Sequence, residues 1–343
     1  MTTPEVSNGD LGASVVDSAA PPSDTRTPRA TWTEKPPEGP WCPESWLGYL
    51  DSVAPGLCPP DGLHAPMEAA GTRTAAGPWS LVVASRRGRL HAHRGEHRED
   101  AGTVLTFAGG WCAAVADGAG SATWSRLGAA IATHAATHAT REALQHGAAP
   151  ASAVGPALQR AGREANAAMR RFAELAGLSL RDLRTTLLLV ASHAGALASV
   201  QVGDGAIALV THEGDVILPH AGDAGEFSGE VTHFLPDDGA VERLGLSFAV
   251  RSLDGVQAIV AASDGVEDPW YPFARHATAL VSQLQDGVTD ANAAAAGVTQ
   301  PLRGNVLRAP DPVRTLLEWL AFEKRGENDD RTLFVAWESS PSA

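Results

Sequence analysis

The sequence predicts an α+β fold: two packed antiparallel β-sheets flanked by helix pairs, an α-β-β-α sandwich. Three observations carry it. Short apolar runs of strand length follow one another across tight glycine-rich turns, the pattern of antiparallel hairpins rather than of strand–helix alternation. Two long alanine-rich stretches, the second with an apolar period of three to four residues, separate the first strand block from the next. Further helical stretches precede a final apolar run.

In chain order, residues 1–40 are rich in Ser, Thr, Pro, Ala and Asp without an apolar period, and are expected to form a disordered tail. Residues 41–77 carry Trp41, Trp46, Leu47, Tyr49, Leu50 and Leu57 among prolines and glycines. They are expected to pack on the main body, with a short helix near 43–53. The main domain is expected over 78–338, with a short tail at 339–343. Its first strands read as 79–84, 103–108 and 111–116, the last two joined across Gly109–Gly110. A helix is expected over 123–146, with Ser121 or Thr123 as its cap. A second is expected over 150–176, where Val154, Leu158, Ala161, Ala165, Ala168 and Phe172 recur on one face; Gly155 and Pro156 point to a regular start at Pro156. Strands over 185–192, 196–202, 206–211 and 216–219 follow, separated by turns such as Gly203–Asp204–Gly205. Polar residues 220–245 read as a surface flap. Strands at 246–252 and 257–263, a helix over 272–284, a loop over 286–309, a helix over 312–324 and a strand at 332–337 complete the domain.

Composition excludes several functions. Apolar residues make up 44% and charged residues 19%, enough for a core and against wholesale disorder. No run approaches the roughly 18 uninterrupted apolar residues of a membrane helix, so no membrane partner is expected. The N-terminus lacks the basic start and apolar run of a secretory leader, and a cytoplasmic protein is expected. The 40 acidic against 26 basic residues give a formal charge of −14, which disfavours nucleic acid as a partner. The two lysines, Lys35 and Lys324, stand outside any phosphate-loop GK[ST] motif. The three cysteines match no zinc spacing, and neither His91/His93/His97 nor His134/His138 is accompanied by a second matching cluster. No G-x-S-x-G supports a serine nucleophile.

Acidic residues instead recur at strand ends. Glu99–Asp100 precedes one apolar run, Asp117–Gly118 and Asp264–Gly265 directly follow two others, and Asp329–Asp330 precedes the last. A single Asp-Gly is ordinarily a turn. Four acidic positions in one context suggest carboxylates held by rigid elements and gathered by the tertiary fold. Such a cluster repels itself unless a hard cation such as Mg²⁺ or Mn²⁺ neutralises it.

The sequence resembles the metal-dependent serine/threonine protein phosphatases of type 2C, in particular their bacterial branch. The resemblance covers roughly residues 80–338. It is carried by RED at 98–100, VADGAGSATWSRLGA at 115–129, TTL at 185–187, VGDGAIAL at 202–209, AASDGVED at 261–268 and NDDRTLFVAW at 328–337. It implies the two-sheet fold already read from the pattern. It further implies that Asp117 bridges two Mn²⁺ or Mg²⁺ ions, with the Gly118 carbonyl, Asp264 and Asp329 completing the first shell, and Asp100 with Glu99 holding the second ion. A third, weaker ion near Asp182 is an option in such proteins, and Asp204 matches a structural turn position. The implied reaction is hydrolysis of phosphoserine or phosphothreonine in a protein, a kinase or its target, by a metal-bridged water, opposing a bacterial Ser/Thr kinase.

Two departures stand out. Many relatives carry a phosphate-gripping arginine five residues before the metal aspartate; here that position is Gly95, flanked by Arg94 and Arg98. Arg94 is the first candidate for the role, beside Asp117 and Asp264 as catalytic residues. A histidine that follows the first Asp-Gly in some relatives is Ala119 here. The alternative readings are a weakly active or inactive relative serving as a phosphoprotein-binding module, and a phosphatase of small metabolites. Trp124, Trp270 and Trp337 are expected in the core or the cleft wall.

Overall fold

The computed structural model describes residues 57, 68–145, 149–220, 233–243, 248–289 and 305–339. Eleven strands form two antiparallel sheets among these residues. The first has the order β1(Ala69–Ala76), β2(Trp79–Arg86), β11(Arg331–Glu338), β10(Val256–Ala262), β7(Ala206–Thr211), β8(Val216–Ile217). The second runs β3(Ala101–Phe107), β4(Gly110–Ala116), β5(Leu187–His193), β6(Ala196–Val202), β9(Phe248–Ser252). The short helix α1(Arg89–Arg94) lies between β2 and β3. Two long helices, α2(Ser125–Gln145) and α3(Val154–Ala176), cover the second sheet, and the short α4(Asp238–Arg243) packs on α3. After the one-turn α5(Asp264–Glu267), α6(Phe273–Asp286) and α7(Pro312–Trp319) cover the first sheet. This is the α-β-β-α sandwich that the apolar runs predicted.

Burial on both strand faces explains why those runs read as continuously apolar. Successive side chains of a strand point to opposite faces. On β4, Cys112 and Ala114 pack under the long helices, while Trp111, Ala113 and Val115 fill the layer between the sheets. On β11, Leu333, Val335 and Trp337 face α6 and α7, while Phe334 and Ala336 join the central layer. Trp270 and Trp337 are core residues, and Trp124 packs half-buried against the helical layer of the second sheet.

Several elements differ from the sequence expectation. Strand β1, AAGTRTAA, lacks an apolar alternation because it is an edge strand, paired with β2 from Ala69↔Arg86 to Ala76↔Trp79. The first sheet therefore starts at residue 69, inside the segment read as an extension. Helix α1 was not expected in the basic stretch; it stops where Gly95 takes a left-handed φ of 71°. Helix α3 starts at Val154, ahead of Pro156, which its first turn accommodates. Helix α7 ends at Trp319, short of 324, where Arg331 Nη1 donates to the Leu320 and Phe322 carbonyls. Strand β5 begins at Leu187 because Thr185 and Thr186 bond to Asp117 instead. The expected helix near 43–53, most of the 220–245 flap and most of the 286–309 loop lie outside the described residues. Leu57 packs against the helical layer of the second sheet.

Candidate functional site

The antiparallel order brings one end of β3, β4, β10 and β11 to the same edge of the sandwich. Asp100 precedes β3, Asp117 follows β4, Asp264 follows β10, and Asp329–Asp330 precede β11. Register fixes the meeting: Ala101 pairs with Ala116, and Ala262 with Leu333. Asp117 is close enough to Asp100 and Asp264 for the three carboxyls to influence one another directly. Asp329 is close enough to add to the charge felt by Asp117, Asp264 and Glu99. Of the residues proposed as metal ligands from the sequence, Glu99, Asp100, Asp117, Asp264 and Asp329 are near enough to act on one another's charge, and Gly118 packs beside the Glu99 carbonyl.

Backbone contacts hold this edge rigid. The Asp117 N–H donates to Thr186 Oγ1 at 2.9 Å, and the Asp117 carbonyl accepts from Thr185 Oγ1 at 2.7 Å and Thr186 N at 2.8 Å. Gly118 packs so tightly that a Cβ would stand 2.7 Å from the Ser125 Cβ and 2.9 Å from the Glu99 carbonyl. A side chain on Gly265 would collide with the Asp330 carbonyl. Glycine is required at both positions for packing rather than for a special φ.

A web of hydroxyls and one carboxylate orients the acids. Ser263 Oγ donates to Asp100 Oδ2 at 2.8 Å and accepts from Thr332 N at 3.0 Å. Asp330 is 1% exposed; its Oδ1 accepts from Gly88 N at 2.6 Å and its Oδ2 from Glu99 N at 2.5 Å. It therefore serves the loop before β3, while its neighbour Asp329 is exposed. His91 reaches in from α1, with Nδ1 3.0 Å from Asp330 Oδ2 and Nε2 3.8 Å from Glu99 Oε2.

The electrostatics are those of crowded carboxylates taken out of water. Burial and the neighbouring Asp330 push Asp100 up to about 7. Burial raises Glu99 to about 7 against the pull of His91. Burial, then the charges of Asp264 and Asp100, drive Asp117 well above the usual carboxylate range. Burial, then Asp204 and Asp329, do the same to Asp264. His91 is raised to about 9, chiefly by its contact with Asp330. Each shift on the acids reports that the charged form lacks compensation.

The remaining candidates lie elsewhere. Arg94 ends α1 at the exposed rim, its Nη1 3.8 Å from Glu96 Oε2. Arg98 is buried and donates to the Ser85 carbonyl at 3.2 Å. Asp182 closes a capping box with Ser179, accepting from its N–H at 3.3 Å. Asp204 stands near enough to Asp264 to raise it. The His134 and His138 rings meet at a tilt of 36° with centroids 4.1 Å apart, and His138 Nδ1 lies 3.0 Å from Arg141 Nη2.

Sequence reasoning missed the residues that orient the acids: His91, Ser263, Asp330 and Thr332. It quoted Thr185–Thr186 without a role. The usable signal was adjacency, because Ser263 and Asp330 each neighbour a named aspartate. His91 gave none, since its partner is 239 positions away in Asp330.

Three buried oxygens of this cluster, Glu99 Oε2, Asp100 Oδ1 and Asp264 Oδ1, have no hydrogen-bond partner. Unpaired carboxylate oxygens aimed among like charges fit a hard divalent cation. Among the described residues, no three His, Cys, Asp or Glu side chains form a ready ligand cage.

The structure thus defines a two-sheet α+β sandwich with a carboxylate-lined edge, and the comparisons name the family. The profile of protein phosphatase 2C matches residues 87–297, more than half of the chain. The chain belongs to that family, whose members are protein serine/threonine phosphatases. The match contains Glu99, Asp100, Asp117 and Asp264 and stops short of Asp329. Curated proteins offer no match. The crystal structure of a bacterial serine phosphatase is 13% identical, covers 81% of this chain and 100% of its own, and superposes with a TM-score of 0.50. The serine/threonine phosphatase Stp1 of Staphylococcus aureus is 12% identical over 80% of this chain and 95% of its own, with a TM-score of 0.47. The catalytic domain of the serine/threonine phosphatase PstP, in complex with two manganese ions, is 19% identical over 76% and 97%, with a TM-score of 0.43. At 13% identity the likeness to the first of these concerns the fold alone.

Proposed function

We propose that the chain hydrolyses phosphoserine and phosphothreonine in proteins with Mn²⁺ or Mg²⁺ at the carboxylate edge, opposing a bacterial Ser/Thr kinase in the cytoplasm. The observation that carries this reading is the convergence of Asp100, Asp117 and Asp264 with buried oxygens left unpartnered. Asp117, the Gly118 carbonyl, Asp264 and Asp329 would hold one ion; Asp117, Asp100 and Glu99 would hold a second. Bound there, the ions would lower the pKa of a water nucleophile and offset the charge of the phosphoryl oxygens. The chain's own part is preorganisation: Ser263 aims Asp100, the Thr185–Thr186 pair fixes Asp117, and Asp330 fixes the backbone of Glu99. Arg94 is the exposed arginine next to Gly95 and would grip the substrate phosphate, whereas Arg98 is buried and engaged. With Ala119 after the Asp-Gly turn, no side chain at that position donates a proton to the leaving group. No described helix is long and apolar enough to cross a membrane.

The test is hydrolysis of a phosphothreonine peptide by the full chain with Mn²⁺, with Mg²⁺ and with EDTA, beside Asp264→Asn. Turnover that needs the metal and falls by more than about 100-fold in the variant is expected. A folded, metal-loaded wild type without turnover would favour the phosphoprotein-binding module, the reading that Gly95 at the arginine position supports.

A further inference from the structure

We propose that His91 is a positioning residue of the metal centre: by holding Asp330 and facing Glu99, it sets where the Glu99–Asp100 pair stands. The proposal rests on the metal-dependent reading above. His91 is the buried residue of α1, at 8% exposure. The rest of that helix is tied outward, with Arg89 paired to Glu323, Leu90 41% exposed and Arg94 beside Glu96. The segment from Gly88 to Glu99 leaves the sheet and returns to the same carboxylate: Asp330 accepts from Gly88 N at its start and from Glu99 N at its end. Inside the excursion, the buried His91 Nδ1 stands 3.0 Å from Asp330 Oδ2, an ion-pair contact without hydrogen-bond geometry. Its Nε2 lies 3.8 Å from Glu99 Oε2, the oxygen left without a hydrogen-bond partner. Gly88 permits this return because a Cβ there would collide with the Asn328–Asp329 backbone. One imidazole thus links the two acidic pairs, Glu99–Asp100 and Asp329–Asp330, that arrive from opposite ends of the chain.

Residues that orient metal ligands typically change metal affinity by about 10–100-fold when removed. Mn²⁺ is titrated calorimetrically into the full-length wild type, His91→Ala and His91→Asn, and each is melted in EDTA. An asparagine amide placed near the Nδ1 position supplies an N–H within reach of Asp330. The expected result is about 10–100-fold weaker Mn²⁺ binding in His91→Ala and recovery to within about 3-fold of wild type in His91→Asn. A merely structural role would lower the melting temperature without that recovery. Should His91→Ala fail to fold, His91→Gln, whose amide reaches the Nε2 position, is compared with His91→Asn; the proposal requires the asparagine variant to bind Mn²⁺ more tightly. Wild-type binding with His91→Ala unchanged overturns this proposal alone. No Mn²⁺ binding by the wild type overturns it together with the metal-dependent reading.

Discussion

At the far end of the sandwich the strands reverse through Gly77, Gly109, Gly195 and Gly255, all at positive φ, over the packed rings of Trp79, Trp111 and Phe334. At the near end the same strands stop at Asp100, Asp117, Asp264 and Asp330. The two ends lie about 20 Å apart, the length of a seven-residue strand. The far end is assembled from what stabilises a fold: buried aromatic surface and tight turns with residues suited to them. It does leave Trp111 Nε1 unpartnered, at the roughly 1–3 kcal/mol cost of a neutral buried donor. The near end collects like charges, desolvates them and leaves their oxygens unpaired. Burial that stabilises Trp111 opposes the ionised form of Asp100. The stability of one end thus supports an arrangement at the other that would not assemble alone.

Three experiments break or sharpen that contrast. Trp111→Ala has the largest effect expected: about 3–5 kcal/mol of stability lost by deletion of a fully buried ring, read by urea unfolding, with turnover per folded molecule retained. Next, the near end responds to pH. Glu99 and Asp100 near 7, against about 4 in an unfolded chain, hold protons in the native state that the unfolded chain has released. Stability in EDTA therefore falls as pH rises from about 4 through about 7, and His91, raised to about 9, extends the fall beyond neutrality. Melting in EDTA should drop between pH 6 and 8.5, and saturating Mn²⁺ should stabilise more at the higher pH. A flat EDTA profile would mean that the acids are compensated. The smallest effect is expected for Thr185→Val, which removes the hydroxyl bonded to the Asp117 carbonyl at 2.7 Å. It should cost about 0.5–1.5 kcal/mol yet slow metal-dependent turnover by about 10-fold, a mismatch that locates its role in the site.

Much of the scaffold was legible because its signals are local. The apolar runs at β4, β5 and β10 are buried on both faces, and the period along α3 marks its buried stripe. β1 was illegible because an edge strand needs no apolar face, and α1 because a helix that buries only His91 has no apolar stripe. The ligand candidates were legible as types at strand ends, and as a set through a family resemblance. The roles of Ser263, Asp330 and His91 were not.

The sequence by itself determined which segments become strands and helices, and that acids stand where strands end. Those are consequences of side-chain period, turn chemistry and burial, which act over a few residues. The tertiary structure decided which acids meet, which of Asp329 and Asp330 is buried, that Arg98 is engaged while Arg94 stays at the rim, and that His91 reaches both acidic pairs. Those depend on strand order and register, which join Ala101 to Ala116 and Ala262 to Leu333. Local propensity does not encode contacts between positions more than 200 residues apart, such as Gly88 and Asp330.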